Sequence, residues 1–404
     1  MTEPSEIVVI KFGGSVLADQ ASIAKAASFV KEERSMGLGV VVVVSALKGV
    51  TDSLLSLSKM LNPDAPADLL DEVLSEGERQ SARLFAASLA AYGIEAEVVD
   101  PSSSFWPIIT DDLHQDANPI LEETRKMTIN LILPMIRKGA VPVICGFLGR
   151  TEDGHVTTLG RGGSDTTAVL MGSCLEAKEV VLVKDVDGVF SSDPAKVGNP
   201  QIIESLDREE ADLLARGGAK FLHSKALRYQ APGMAIRVTG LDKLKSGTVI
   251  RGERRDLHVE LLPLRVSMLT VVGWETKADS IVALHSAVSG AGGTLLALSL
   301  EPKSALLYVG DGEGSLKAVH DLVVERRIGK AVSCFDGLSM IAVKGGDLET
   351  TPGLIQQVAK PLAEARINIY GIVTISSSIR VFVMGAEAVK AARMIEVALR
   401  VNGS

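Results

Sequence analysis

The residues best suited to chemistry in this sequence lie in glycine-rich segments that also carry charge. Lys11-Phe-Gly-Gly14 follows a run of β-branched residues, and Thr158-Leu-Gly-Arg-Gly-Gly-Ser-Asp165 opens a helical pattern. Glycines between a strand and a helix let backbone N–H groups approach a phosphate or carboxylate, and Lys11 and Arg161 add positive charge. Asp165 stands where a dinucleotide-binding fingerprint needs its last glycine, which excludes a Rossmann-type site.

Two further charged segments are each open to a functional and a structural interpretation. Lys184-Asp-Val-Asp-Gly-Val-Phe190, followed by Ser192-Asp-Pro194, is suited to holding ribose hydroxyls or a magnesium-bound phosphate. The same composition is also typical of an aspartate-rich turn. Gly218-Ala-Lys220 with His223 is open to the same two interpretations, so the residues alone leave both in place.

Several other catalytic and metal-binding patterns are missing from the sequence. It contains no G-x-x-x-x-G-K-[ST] phosphate loop, no G-x-S-x-G nucleophile and no H-x-x-x-H pair. Cys145, Cys174 and Cys334 form no C-x-x-C pair, so we expect reduced thiols rather than a disulfide or a zinc site. The glycine-rich segment Gly310–Gly314 indicates a turn between a strand and a helix.

Composition and charge limit the classes of protein that fit. The 404 residues are 46% hydrophobic and 23% charged, which is typical of a folded protein of two or three domains. A net charge of −8 with 4% aromatic residues is poorly suited to binding nucleic acid. The main apolar runs, Val40–Val44 and Ala140–Leu148, are too short to span a membrane, and the N-terminus lacks a signal-peptide pattern. We therefore expect a cytoplasmic protein.

The first 250 residues alternate apolar, β-branched runs with helical patterns. Strands are predicted at Glu6–Ile10, Val40–Val44, Ala140–Phe147 and Glu179–Val183. Helical patterns cover residues 67–92 and a stretch from about Asp165 to Leu175. Strands that alternate with helices predict an α/β sandwich.

The pattern changes after the charged stretch Arg251–His258, which is typical of a linker. Met268–Glu325 and Leu338–Leu399 each follow the order strand, helix, strand, strand, helix. Two small βαββαβ modules in tandem are therefore predicted. The predicted domains are residues 1–250, 259–330 and 331–404.

In their order along the chain, these segments resemble the amino-acid kinase family and, within it, the aspartate kinases. The resemblance rests on Lys11–Gly14, Ser45–Asp52 (SALKGVTD), Gly77-Glu78, Gly160–Asp165, Asp185–Pro194 and Gly218–His223. It covers nearly the whole chain, because paired ACT modules follow aspartate kinase domains. It implies a three-layer α/β sandwich followed by two ferredoxin-like α+β (ACT) modules.

The resemblance implies transfer of the γ-phosphoryl group of ATP to the β-carboxylate of L-aspartate, with Mg²⁺. The product is 4-phospho-L-aspartate, and the reaction is the first step of lysine, threonine and methionine biosynthesis. A carboxylate with a pKa of ~3.9 is already ionised at neutral pH, so the reaction needs no general base. By similarity, Lys11 neutralises charge on the transferred group and Asp165 holds that lysine.

The resemblance also assigns the binding residues. For L-aspartate it implies Thr51, Glu78, Arg161, Gly162, Gly163 and Ser164. For the nucleotide it implies Lys11, Phe12, Gly13, Gly14, Ser15, Ser45, Lys184, Asp185, Asp187, Phe190, Asp193 and Lys220. Glu78 matches the family's residue for the α-ammonium group and Arg161 the one for the α-carboxylate. An N-acetylated acceptor would leave Glu78 unpaired, which disfavours an N-acetylglutamate kinase.

Departures from the family pattern keep two alternatives open. Val16 replaces a hydroxyl residue, Lys184 replaces Thr or Trp, Ala195 replaces Arg and Ser224 replaces Pro. Most of these changes concern the nucleotide side of the site. The alternatives are a non-catalytic amino-acid sensor built on a kinase fold, and a kinase for another free acidic amino acid.

Resemblance to ACT modules predicts an effector site in the second module, at Pro352, Gly353, Asn368 and Ile369. The first module offers residues 276–279 instead, without the Pro-Gly pair. Lysine or threonine is the expected effector. The modules are also expected to join chains into a homo-oligomer, at least a dimer, and this role alone is the alternative to effector binding.

Overall fold

The computed structural model describes residue 4 and residues 6–252, 257–274, 278–345, 348, 353–375 and 378–400. The chain divides into two compact units, residues 1–254 and residues 255–404. The division falls inside the charged stretch that the sequence predicts as a linker. In the described ranges, no helix is long and apolar enough to cross a membrane.

The first unit alternates strands and helices, as its sequence pattern predicts. Its elements up to residue 145 are β1 (Ile7–Phe12), α1 (Gln20–Ser35), β2 (Gly39–Val44), α2 (Val50–Leu61), α3 (Ala67–Ala91), β3 (Ala96–Val99), α4 (Leu121–Arg137) and β4 (Val141–Cys145). The rest are β5 (Leu148–Arg150), β6 (Val156–Thr158), α5 (Gly163–Cys174), β7 (Glu179–Lys184), β8 (Val189–Phe190), β9 (Ile202–Ile203), β10 (Ser205–Asp207), α6 (Arg208–Arg216), α7 (Ser224–Leu227), β11 (Ala235–Gly240) and β12 (Thr248–Arg251).

An eight-stranded sheet forms the centre of this unit, in the order β10-β12-β11-β7-β1-β2-β4-β3. β1 pairs in parallel with both β2 and β7, so the carboxyl ends of three neighbouring strands meet at one edge. Every residue of β2 is buried, as expected for a parallel strand covered on both faces. α1 packs with α3 and α4 packs with α5, which gives the helix–sheet–helix layers of a sandwich.

Helix α3 buries polar side chains together with apolar ones. Its buried residues include Asp71, Ser75 and Glu78 beside Leu74 and Phe85. Spacings of three and four residues place the three polar groups along one side of the helix. Because buried polar groups need partners or a ligand, this side of α3 is expected to border a polar site.

The second unit contains two α+β repeats with the predicted order of elements. They are β13 (His258–Leu261), β14 (Val266–Val272), α8 (Ala278–Gly290), β15 (Thr294–Glu301), β16 (Ser304–Gly310), α9 (Ser315–Arg326), β17 (Ala331–Lys344), α10 (Leu354–Glu364), β18 (Gly371–Ile375), β19 (Ser378–Met384), a 3-10 helix (Gly385–Glu387) and α11 (Ala388–Arg400). Gly310–Gly314 forms the connection from β16 to α9, as expected from its glycines.

One sheet runs through both repeats, in the order β15-β16-β14-β17-β19-β18. β17 belongs to both, since Ala331–Phe335 pairs with β14 and Leu338–Lys344 pairs with β19. β13 pairs with Ile341–Lys344, so it adds a strand to the second repeat although it precedes the first along the chain. The predicted domain boundaries stay predictions. The pairing of β13 bears on them because residues 259–261, predicted to open the first module, lie in the sheet beside the second repeat.

Candidate active site

The carboxyl ends of β1 and β7 bring together charged residues from distant parts of the chain. Lys11 lies one residue before the end of β1, and Lys184 is the last residue of β7. Since Lys11 pairs in register with Leu182, both lysines leave the sheet at the same edge. In open parallel sheets, this is the edge where ligands bind.

Asp165 lies between these two lysines and pairs with both. Its Oδ1 is 2.8 Å from Lys11 Nζ, and its Oδ2 is 2.5 Å from Lys184 Nζ. Burial alone would raise the pKa of Asp165, but the charges of the two ammonium groups lower it to about 2. Burial lowers the pKa of Lys184, while the charge of Asp165 acts in the opposite direction. Asp165 is therefore ionised at neutral pH and holds the lysines rather than acting as a base.

The position of Asp165 follows from the way α5 begins. Gly160 and Gly162 both have a φ of +71°, a conformation that favours glycine. A Cβ on Gly163 would lie 2.6 Å from a ring carbon of Phe147, so only glycine allows this close packing. The turn that carries Arg161 thus leads directly into the first turn of α5, where Asp165 lies.

Glu78 supplies a second buried carboxylate, from α3. Its side chain is almost completely buried, and its Oε2 has no hydrogen-bond partner among the described residues. Burial raises the pKa of Glu78 to about 8, although the backbone N–H of Ala46 and the charge of Lys11 act in the opposite direction. A buried carboxylate with an unused oxygen is suited to receiving a positively charged group from a ligand.

A cavity of about 360 Å³ connects these groups, which is within the range of small-molecule sites. The predicted residues that line it are Lys11, Ser45, Thr51, Glu78, Arg161, Gly162, Gly163, Ser164, Asp165 and Lys184. Every residue predicted to bind the acceptor is among them. Phe147 also lines the cavity, although no motif in the sequence pointed to it. The feature that distinguishes Phe147 is a backbone φ of +71°, which is uncommon for a residue other than glycine and is visible only in the folded chain.

Of the predicted nucleotide residues around β1, Lys11 lines this cavity, whereas Phe12, Gly13, Gly14 and Ser15 do not. Gly13–Ser15 forms the turn after β1, and a Cβ on Gly14 would lie 2.1 Å from the carbonyl oxygen of Ala46. Phe12 is fully buried and contacts Phe85, with ring centroids 5.2 Å apart. The side chain of Phe12 therefore belongs to the core, which leaves only its backbone for a nucleotide.

The remaining nucleotide candidates lie further from the cavity. Asp185, Asp193 and Lys220 are exposed, and Phe190 is half-buried in β8. Asp187 pairs with a lysine, Lys243 Nζ, at 3.0 Å. The structure does not bring these residues together with the acceptor cavity, so their role toward a nucleotide stays a prediction.

The predicted effector residues lie on both sides of α10 in the second unit. Gly353 precedes the helix with a φ of +81°, Asn368 after it is exposed and Ile369 is half-buried. Pro352 lies outside the described residues, as do residues 276–277 of the first repeat. The effector site stays a prediction.

Comparisons with known proteins agree with this fold and cavity. A family model described as the amino acid kinase family matches residues 6–240, more than half of the chain. The chain is 30% identical to the aspartokinase of Mycolicibacterium smegmatis, over 98% of this chain and 97% of that protein. The chain therefore belongs to the amino acid kinase family, and within it to the aspartokinases.

Two solved structures share the architecture. Aspartate kinase from Synechocystis matches with a TM-score of 0.78 at 24% identity, covering 98% of this chain and 69% of that chain. Aspartokinase III of E. coli, solved in complex with aspartate and ADP, matches with a TM-score of 0.56 at 22% identity. This match covers 98% of this chain and 100% of that chain. These matches confirm the predicted fold class, a three-layer α/β sandwich followed by two ACT modules.

Proposed function

We propose that this aspartokinase transfers the γ-phosphoryl group of ATP to the β-carboxylate of L-aspartate and gives 4-phospho-L-aspartate. The observation that carries the proposal is the pairing of Asp165 with both Lys11 and Lys184, in the same cavity as Glu78 and Arg161. The solved E. coli relative contains aspartate and ADP, which supports the same pair of ligands here.

The charges in the cavity fit the groups of a free amino acid. Glu78 would bind the α-ammonium group through its unused oxygen, and Arg161 would bind the α-carboxylate with its planar guanidinium. Thr51 and Ser164 would supply neutral hydrogen-bond donors. An acceptor without an ammonium group would leave the buried Glu78 protonated, because its pKa is raised to about 8, and would gain no ion pair from it.

The chemistry consists of positioning and charge neutralisation. The β-carboxylate of aspartate is ionised at neutral pH and attacks without a general base. Lys11 would neutralise charge that develops on the transferred phosphoryl group, and Asp165 would keep the ammonium group in place. Lys184, on the second oxygen of Asp165, adds another positive charge beside the reacting groups.

The turn Gly13–Ser15, the loop after β7 and Lys220 are proposed to bind ATP. Among the described residues, no group of three or more His, Cys, Asp and Glu side chains could hold a metal ion. A nucleotide-bound Mg²⁺ needs only one or two carboxylates beside the phosphates, and it would supply charge neutralisation here. This chain's own contribution to neutralisation comes from Lys11 and Lys184.

The acceptor can be identified by trapping the acyl phosphate with hydroxylamine in the presence of Mg²⁺ and ATP. We expect hydroxamate from L-aspartate, the acceptor that the aspartokinase relatives indicate, and little from L-glutamate. N-acetyl-L-glutamate should give little because it has no ammonium group for Glu78. Equal rates with glutamate would indicate a kinase for another acidic amino acid. No product from any acceptor would favour the sensor alternative and overturn the proposal.

We also propose that the second unit binds a free amino acid, lysine or threonine, and joins chains into a homo-oligomer. Equilibrium dialysis of the full chain at millimolar lysine or threonine should then detect saturable binding. The coupling to catalysis is expected to be about 1–3 kcal/mol, or ~5–150-fold in aspartate affinity. If neither amino acid binds, only the role in oligomerisation is left, and sedimentation of the chain tests that role.

A further inference from the structure

The turn at Gly160–Gly162, called the Arg161 loop below, is held by the two residues that precede it. Thr158 ends β6, and Leu159 connects that strand to the loop. Both residues are almost completely buried, whereas Arg161 itself is exposed. The backbone position of Arg161, from which its side chain extends, therefore depends on what fixes Thr158 and Leu159.

Asp71 fixes Thr158 from the side of α3. This carboxylate is completely buried, and the Oγ1 hydroxyl of Thr158 donates a hydrogen bond to its Oδ1 at 2.7 Å. The backbone N–H of Gln115 donates to the other oxygen at 3.2 Å, and His114 Nδ1 lies 2.8 Å from it. Asp71 lies two helical turns before Glu78 on the same side of α3, so one helix carries both the anchor and the ammonium-binding group.

Lys225 fixes Leu159 from the side of α7. Only 6% of Lys225 is exposed, and its ammonium group donates to the carbonyl oxygens of Leu159 at 2.9 Å and Ala117 at 3.0 Å. The carboxylate of Asp116 accepts a further hydrogen bond at 2.7 Å. The Arg161 loop also touches the start of α7, since a Cβ on Gly162 would lie 2.3 Å from the Cβ of His223.

We propose that Lys225 and Asp71 are positioning residues that fix the distance between Arg161 and Glu78 and so select a four-carbon acceptor. The inference rests on the proposed function. Arg161 would hold the α-carboxylate of the acceptor and Glu78 its α-ammonium group. The distance between these two residues then determines how far the acceptor's side-chain carboxylate extends toward Lys11. Glutamate is longer by one methylene, and a pocket discriminates such a difference by ~10–200-fold only when its walls are fixed.

The central test is Lys225→Met, which keeps the length of the side chain and removes its donors. Hydroxamate formation gives kcat and KM for aspartate and for glutamate. We expect the aspartate KM to rise ~10–100-fold, the ATP KM to stay within about twofold, and the aspartate-to-glutamate ratio of kcat/KM to fall at least ~10-fold. Lys225→Arg, which keeps a buried cation with several donors, should retain most of the discrimination.

Arg237→Met is the matched control for general loss of stability. Arg237, in β11, pairs with both oxygens of Glu179 at 2.8 and 2.9 Å. Glu179 is the first residue of β7, about 16 Å along that strand from Lys184. This variant should lower Tm and leave the aspartate-to-glutamate ratio unchanged. A purely structural role for Lys225 would give the same pattern.

A second variant covers the case in which Lys225→Met does not fold. Thr158→Val is isosteric and removes only the hydroxyl that donates to Asp71. It should move the ratio in the same direction by a smaller factor. An unchanged ratio in every folded variant of Lys225 and Thr158 overturns the inference, whereas a wild-type chain that does not phosphorylate aspartate overturns the proposed function instead.

Discussion

Replacing Lys11 by Met is expected to lower kcat by about 10²–10³-fold, the usual cost of removing one preorganised donor from a developing negative charge. The KM for aspartate should change much less, because Glu78 and Arg161 are proposed to hold the acceptor's other groups. The fold should tolerate the change, since Asp165 keeps its second ion pair with Lys184. Steady-state hydroxamate assays with both substrates varied measure the two parameters separately.

Lys184→Met in the same assay separates the two lysines that share Asp165. We expect a smaller loss of kcat, about tenfold, because Lys11 then still lies on the other oxygen of the carboxylate. Lys178→Met serves as control, since Lys178 is an exposed residue that pairs with Glu6. A Lys11→Met enzyme with more than a tenth of the wild-type kcat would mean that this ammonium group does not stabilise the transition state.

The elements that carry the site were predictable because their signals are local. The uninterrupted valines of β2 indicate a strand buried on both faces, and the glycines before α5 indicate the turn where the helix begins. Strand alternation could also have indicated that the side chain of Phe12 is buried in the core. Since neighbouring side chains in a strand point to opposite faces, a cavity reached by Lys11 excludes the side chain of Phe12.

The remaining features depend on contacts that local patterns do not encode. Lys225 and Asp71 look like ordinary surface residues in the sequence, and only the fold surrounds them with acceptors and donors. Lys184 was expected to bind the nucleotide, but its partner Asp165 lies on another element, and the sequence does not reveal that pair. The pairing of β13 with β17 is hidden for the same reason, since a short strand does not encode its neighbour.

The KM for aspartate is expected to fall as the pH rises toward 8 and to level off above it. The pKa of Glu78 is raised to about 8, with burial as the main cause, so most Glu78 is protonated in the free enzyme at pH 6–7. An ammonium group binds the ionised form, while the carboxylates of aspartate stay ionised throughout this range. KM should therefore change by about tenfold per pH unit below 8.

Glu78→Gln should remove this pH dependence and weaken aspartate binding above pH 8, where wild-type Glu78 is ionised. Losing one partner of a buried charge pair costs about 2–5 kcal/mol, which raises KM by ~30-fold or more. The ATP KM should be unaffected, and kcat at saturating aspartate should fall less than in Lys11→Met. If KM in the variant still varied with pH as in the wild type, another group would be responsible for the titration.

The thermal stability of the wild type and of Glu78→Gln checks the direction of the Glu78 pKa shift independently. A pKa raised in the folded state means that the fold binds the proton of Glu78 more tightly than the unfolded chain does. The stabilisation from this group is complete below the ordinary pKa of 4.5 and is lost as the pH rises through about 8. Because glutamine does not titrate, the Tm of the wild type should fall relative to Glu78→Gln between pH 6 and 9. Bound aspartate should reduce that fall in Tm, because its ammonium group pairs with the ionised Glu78. In the empty site the same buried carboxylate has no cation to compensate for its lost hydration.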